Sequence, residues 1–291
     1  MTIATSAHDE AALEGYGQRR HYDVAGEFWR LWLDPRMTYS AALWEDGDDL
    51  ARAQLRKLDY MIEAAGAPGE DRVLDIGCGW GSAAGRLLEA HDVGAVVGIT
   101  VSASQVDWIA SRIDDPRLEV RLEPWADHRA GEPYDSIVSI GAFEHVARER
   151  TTRDMRVAAY REFFEHCHGL LRPEGRMSLQ TCARGGGWLD RAAIEDMRLI
   201  DDVLVSGAIP WPSEVLQAAE NLFQLEFFDT HDHHSVRTWR EWERRLEGRR
   251  EAAIEIVGEE VTDTFLEFHA AWARRFEHGH TTLVRMGLRR L

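Results

Sequence analysis

A carboxylate set inside an apolar run and followed by alternating glycines is the first arrangement in this chain that could do chemistry. In VLDIGCGWG (residues 73–81), Asp75 lies among Val73, Leu74 and Ile76, and Gly77, Gly79 and Gly81 follow before the helix-like SAAGRLLEA. Such glycines let the backbone approach a ligand where a strand ends and a helix begins. A carboxylate just ahead of them can fix the turn or accept from the amino group of a cationic ligand. A dinucleotide would instead need that helix N-terminus clear for its pyrophosphate. The next strand, ending GIT at Thr100, carries no acid for ribose hydroxyls, so the neutral polar Thr100, Ser102 and Gln105 must serve. Lys57 is the single lysine, which leaves no Tyr-x-x-x-Lys pair for a nicotinamide oxidoreductase.

These residues need a scaffold, and the hydrophobic pattern supplies one. Strand-like runs occur at 71–77, 94–100, 117–123, 134–140 and 175–181. Helical runs occur at 48–65, 102–113 and 156–171. Regular alternation of this kind predicts a mostly parallel, doubly wound α/β sheet. RPEGR (172–176) reads as a turn, because Pro173 and Gly175 both interrupt regular structure. Beyond residue 182 the pattern reads as charged amphipathic helix up to a final strand-like TTLVRMGL (281–288). The expected organisation is one domain over 1–291: an N-terminal helical lid (1–65), a ligand-binding core (66–182), and a helical cap with C-terminal strands (183–291).

Composition narrows the function classes. A chain of 291 residues with 44% hydrophobic content can bury a sizeable core. No run reaches the roughly 18 apolar residues of a membrane helix, and the N-terminus lacks a signal-peptide pattern, so a cytoplasmic protein is expected. Three cysteines without a close CxxC pair suggest neither disulfides nor zinc. HDHH (231–234) reads as a solvated loop, and no metal is expected. The formal charge of −17 opposes nucleic acid, stable membrane association and acidic carrier proteins. The sequence leaves a homo-oligomer open.

VLDIGCGWG resembles the first motif of class I S-adenosylmethionine-dependent methyltransferases, whose fold is Rossmann-like. HYD…FWRLWLDPRMTYS, VVGITVSASQ and SIGAFEHV resemble the cyclopropane fatty acid and mycolic acid cyclopropane synthases, over roughly residues 21–182; IPWPSE and HSVRTWREW extend the likeness into the cap. The resemblance implies S-adenosylmethionine as cofactor and S-adenosylhomocysteine as product. It implies that Tyr22, Tyr39 and Ser40 lie over the methionine end. Gly77 and Gly79 would pack against the cofactor, with Ala142 and Asp75 at the same site, Thr100 and Gln105 near ribose and adenosine, and Trp125 beside the adenine.

In that family, as the resemblance implies, a double bond takes the methyl and a bound bicarbonate removes a proton so that the ring closes. Glu144 matches the glutamate that helps hold the bicarbonate, and Glu144, His145 and Tyr22 are the candidate catalytic residues. The other ligands are missing: the cysteine expected after TYS is Ala41, the histidine of the fifth strand is Gln180, and the tyrosine near HSVRTWREW is Ser235 or, with a shifted alignment, His234. Loss of thiol, imidazole and phenol dismantles that anion site. The expectation is therefore methyl transfer, preferably at carbon, to a small hydrophobic specialised metabolite without cyclopropane formation. The alternatives are a lipid-modifying synthase with a rebuilt base site and a methyltransferase-like cyclase that transfers no methyl. Trp29, Trp32, Trp188 and Trp211 lie in segments expected to border the cap, which favours a hydrophobic acceptor.

Overall fold

The computed structural model describes residues 2–5, 26–148, 151–204 and 207–291. Its frame is one eight-stranded sheet in the order β1-β4-β3-β2-β5-β6-β8-β7. The strands are β1 (Thr2–Thr5), β2 (Arg72–Ile76), β3 (Ala95–Thr100), β4 (Leu118–Leu122), β5 (Tyr134–Ile140), β6 (Leu171–Arg184), β7 (Phe223–Thr230) and β8 (Thr281–Arg290). All pairings are parallel except those of β8, which runs antiparallel between β6 and β7. The fold is the expected Rossmann-like α/β arrangement.

The central strands form where both faces are covered. Val73, Leu74, Ile76, Val96, Val97, Ile137 and Val138 are buried, giving near-continuous apolar runs, as a parallel sheet between helical layers requires. Helices follow the strands: α1 (Gly26–Trp29) and α2 (Leu50–Ala64) lead in, α3 (Ser82–Ala90), α4 (Ala103–Arg112) and α5 (Arg153–Leu170) cross over, and α6 (Arg191–Leu204) and α7 (Pro212–Ala219) precede β7. Then come α8 (Asp232–Glu247), α9 (Arg250–Val257) and α10 (Glu259–Glu277). Side chains start four of them, with Asp49, Ser102, Thr152 and Asp190 accepting from the amides of Arg52, Gln105, Met155 and Ala193. β2 stands between β3 and β5, so the direction of winding reverses there. In such sheets ligands bind at the carboxyl ends of the strands beside that reversal.

Several local expectations fail. RPEGR is not a separate turn: it is a bulge within β6, where pairing jumps from Tyr134↔Leu171 to Ser136↔Arg176 and Glu174 takes φ 62°. The stretch 223–230 is strand β7 and not helix; it is a half-exposed edge, so its apolar period is weak. Residues 232–234 open α8 and do not form a solvated loop; His234 is partly buried and its Nδ1 accepts from the Trp44 amide at 3.1 Å. Thr2–Thr5, placed with the N-terminal helical lid, instead form a strand that pairs with Glu119–Leu122 of β4.

Candidate active site

The glycine turn does what its sequence requires. Gly77, Gly79 and Gly81 have φ of 73°, 54° and 83°, all in the left-handed region that favours glycine. The Gly77 and Cys78 amides both donate to the Ile99 carbonyl at 3.0 Å, which ties the turn to β3. A Cβ on Gly77 would lie 2.5 Å from the Ala142 Cβ, so that position has no room. A Cβ on Gly79 would meet only the Gly77 carbonyl oxygen at 4.0 Å, and it faces a cavity.

That cavity gathers the expected binding residues. Tyr39, Ser40, Asp75, Gly77, Gly79, Thr100, Gln105, Trp125, Ala142 and His145 all line it. Thr100 Oγ1 donates to Gln105 Oε1 at 2.6 Å, and the Ser102 amide donates to Thr100 Oγ1 at 3.2 Å, so the polar end of β3 is held in place. Trp125 packs edge-on against Phe163 with ring centroids 5.1 Å apart. Tyr22 lies outside the described residues.

Two charged lining residues were not among the candidates read from the sequence. Lys57 is fully buried, and its Nζ donates to Ser40 Oγ at 2.7 Å. Burial pushes its pKa down to about 7, with the positive charge of Arg285 adding to that. Glu123 follows β4 and also lines the cavity, and His128 Nδ1 holds its carboxylate at 2.6 Å. Burial pushes Asp75 the other way, up to about 7, although the Ala84 amide and Lys57 oppose the shift. Asp75 Oδ2 is buried with no hydrogen-bond partner. A cradle without Cβ atoms, an unpartnered buried carboxylate oxygen and a neutral polar strand end fit a nucleoside carrying a cationic amino-acid arm.

A second cavity adjoins the first and shares Tyr39, Ser40, Gly141 and His145 with it. Its walls are Ala41, Ile200, Ile209, Trp239, Trp242, Trp272, Phe276 and Leu283, and its polar edge carries Glu144, Gln180, Cys182 and Asp201. Trp239 and Trp272 stack with centroids 5.3 Å apart and planes 8° apart. Glu144 sits in a short 3₁₀ turn, Phe143–His145; its Oε1 accepts from the Cys182 amide at 2.9 Å, and its Oε2 is buried without a partner. The tryptophans lining this cavity, Trp239, Trp242 and Trp272, are other than the four that stood out in the sequence. Trp29 and Trp32 are packed into the aromatic core, whereas Trp188 is 88% and Trp211 40% exposed.

Fold, glycine cradle and paired cavities define a class I S-adenosylmethionine-dependent methyltransferase. Comparison with known proteins gives the family. The model for mycolic acid cyclopropane synthetase matches residues 13–286. Cyclopropane mycolic acid synthase 3 of Mycobacterium tuberculosis is 34% identical over 276 residues, 90% of this chain and 92% of the relative. The structure of the cyclopropane synthase MmaA2 from M. tuberculosis superposes with TM-score 0.86 at 30% identity, covering 96% of this chain and 98% of the other. Mycolic acid cyclopropane synthase CmaA1 complexed with SAH and CTAB gives TM-score 0.83 at 29% identity, covering 94% and 97%. The chain belongs to the mycolic acid cyclopropane synthetase family, and its cofactor is S-adenosylmethionine.

This overturns the expectation of methyl transfer to a specialised metabolite without cyclopropane formation, because the relatives matched along nine-tenths of the chain are cyclopropane synthases. The expectation rested on Ala41, Gln180 and Ser235 as losses, and it overlooked the residue behind them. Arg285, in β8, is completely buried; its Nε donates to Gln180 Oε1 at 2.8 Å and its Nη2 to the Ala41 carbonyl at 3.2 Å. The lost groups have a guanidinium beside them. The signal was a charged residue inside the apolar run TTLVRMGL. The charge argument describes long-range encounter and does not bear on the second cavity, most of whose lining is apolar.

Proposed function

We propose that this chain transfers the methyl group of S-adenosylmethionine to a carbon–carbon double bond of a long acyl chain and, with loss of one proton, closes a cyclopropane ring. The observation that carries this reading is the apolar cavity walled by Trp239, Trp242, Trp272 and Phe276, which meets the cofactor cavity at Tyr39, Ser40, Gly141 and His145 with Glu144 alongside. When bound, the cofactor supplies a methyl made electrophilic by its sulfonium. The chain's own task is to align an acceptor with it and exclude water.

In this reading Gly77 and Gly79 admit the cofactor, with Ala142 packed beside Gly77. Asp75 accepts from its amino group, Thr100 and Gln105 hold ribose and adenosine, and Trp125 borders the adenine. Tyr39, Ser40 and Tyr22 cover the methionine end. The tryptophan faces give an acyl chain an apolar bed and favour positive charge developing on it. Glu144 Oε2 adds negative charge at the same place, and His145 joins it in handling the proton. The sections 1–65, 66–182 and 183–291 serve as lid, cofactor core and cap of one methyltransferase domain working in the cytoplasm. No helix among the described residues is long and apolar enough to cross a membrane.

The test is incubation with methyl-labelled cofactor and monounsaturated acyl lipids, presented as free acids and as vesicles, with the product read by proton NMR. Upfield ring protons with loss of the vinyl signal are expected. A methylated product that keeps its double bond, or no transfer to any acyl lipid, overturns the reading.

A further inference from the structure

Lys57 is the one lysine of the chain, and it is fully buried in the wall of the cofactor cavity. It stands on α2, and its Nζ donates to Ser40 Oγ at 2.7 Å. No carboxylate among the described residues forms an ion pair with it. Asp34 and Asp75 lie near enough for their charge to be felt, but Asp34 accepts from the Arg36 and Thr38 amides at 3.0 and 2.8 Å, and Asp75 accepts from the Ala84 amide. The third charge that reaches it, Arg285, is positive and repels it. Burial pulls the amine down to about 7, so near neutral pH a neighbouring anion decides whether it is charged.

Holding Ser40 does not account for a lysine. Gln54, one turn earlier on α2, already secures that segment: its Nε2 donates to the Ser40 carbonyl at 2.8 Å and to the Thr38 carbonyl at 3.3 Å. A neutral donor at the lysine's position would hold the hydroxyl without the cost of burying a group that carries charge. A cation in this wall is also misplaced for most of the cofactor, whose sulfonium and ammonium are both positive. Only the carboxylate of the amino-acid arm is negative. Lys57 reaches Ser40, which with Tyr39 stands where that arm is placed, and Asp75, whose Oδ2 is buried without a partner, lines the same cavity. One acid and one amine, brought together from β2 and α2, suit the two ends of a zwitterion.

We propose that Lys57 binds the carboxylate of the cofactor's amino-acid arm and thereby makes the site selective for the intact zwitterion over a cofactor that has lost that carboxylate. Two of its three N–H groups remain for the carboxylate once Ser40 has taken one. This selectivity rests on the placement of the methionine end at Tyr39 and Ser40 given above, and on nothing about the acceptor.

Calorimetry follows the binding of S-adenosylhomocysteine and of its decarboxylated analogue, which keeps the adenosine, the thioether and the amino group, to wild type and to Lys57→Met. Methionine keeps the apolar stem without the charge, and circular dichroism checks the fold of the variant. Wild type is expected to bind S-adenosylhomocysteine at least about tenfold more tightly than the analogue, as one charge-assisted hydrogen bond allows. Lys57→Met is expected to lose about that factor for S-adenosylhomocysteine and less than about twofold for the analogue, so that the preference disappears. Equal binding of the two compounds by wild type overturns the proposal without any variant. So does a folded Lys57→Met that loses both compounds alike, which leaves Lys57 as a support for Ser40, or one that loses neither. In each of these cases wild type still binds S-adenosylhomocysteine, and the cyclopropane-forming reading stands. A protein that shows the Lys57-dependent preference but makes no cyclopropane leaves this inference in place and removes that reading.

Discussion

The two cavities meet at Tyr39, Ser40, Gly141 and His145 yet are assembled in opposite ways. The cofactor cavity comes mostly from short contiguous stretches at the carboxyl ends of β2, β3 and β5, and each stretch carries its own turn chemistry. The acceptor cavity draws on Ala41, Glu144, Gln180, Trp239, Trp272 and Leu283, which only the tertiary fold brings together. A site built from local turns is specified by conformation, so its residues are irreplaceable one at a time. A site built from distant walls is specified by packing and charge, so its residues can exchange as a set. The Ala41, Gln180 and Arg285 grouping is such a set.

The largest expected effect tests the packed side of this contrast. Trp242 is fully buried, lines the acceptor cavity and packs at centroid distances of 5.6 Å to Trp32 and 4.8 Å to Trp239. Trp242→Ala should cost about 3–5 kcal/mol of stability by leaving a cavity, measured by denaturant unfolding. A loss below about 1 kcal/mol would mean that this wall is not close-packed.

The conformational side gives the next. Gly79→Trp places a side chain into open cavity but strains a backbone held at φ 54°, so the protein should lose about 1–2 kcal/mol of stability and still fold while the cofactor loses its space. Calorimetry should record at least a hundredfold weaker binding of S-adenosylhomocysteine, about 2.7 kcal/mol. Near wild-type affinity would move the cofactor away from this turn. The third prediction sits where the cavities meet: Glu144→Gln keeps shape but removes charge, and should slow turnover at least tenfold, about 1.4 kcal/mol. The loss should appear in kcat more than in KM if Glu144 acts on developing charge. An equally active variant would reduce Glu144 to a brace for the Cys182 amide.

Legibility in the sequence follows the same division. The strands β2 to β5 were visible because β-branched apolar runs ending in turns leave few alternatives, and the glycine turn was visible because φ near +70° has one common solution in residue type. The edge strands β1 and β7 were not: each pairs on one side only, and the half-exposed positions of β7 show no clear alternation. Trp239 and Trp272 looked like ordinary amphipathic-helix residues, and only the fold turns them toward the strand ends. Arg285 was missed for a physical reason. Reading position by position finds lost ligands where the family motif has them, but a compensating charge enters from β8, whose place between β6 and β7 no local pattern announces.

The smallest expected effect separates the two regions by pH. His234, on the acceptor side, uses Nδ1 to accept from the Trp44 amide at 3.1 Å, and a protonated ring nitrogen cannot accept. Burial lowers its pKa, and the charges of His233, His231, Arg285 and Arg237 lower it further, to about 4. The unfolded chain therefore takes up this proton at a higher pH than the folded one. Stability from neutral His234 is complete above about pH 6.5, the ordinary histidine value, and is lost as the pH falls through about 4. Discounted for partial exposure, the loss should be about 1 kcal/mol between pH 7 and 5. His234→Gln can still offer an oxygen to the Trp44 amide but cannot titrate, so its Tm should fall less than wild type over that interval. Equal falls in both proteins would show that acid sensitivity arises elsewhere, and would remove His234 as the group that makes the acceptor wall more acid-labile than the cofactor turn.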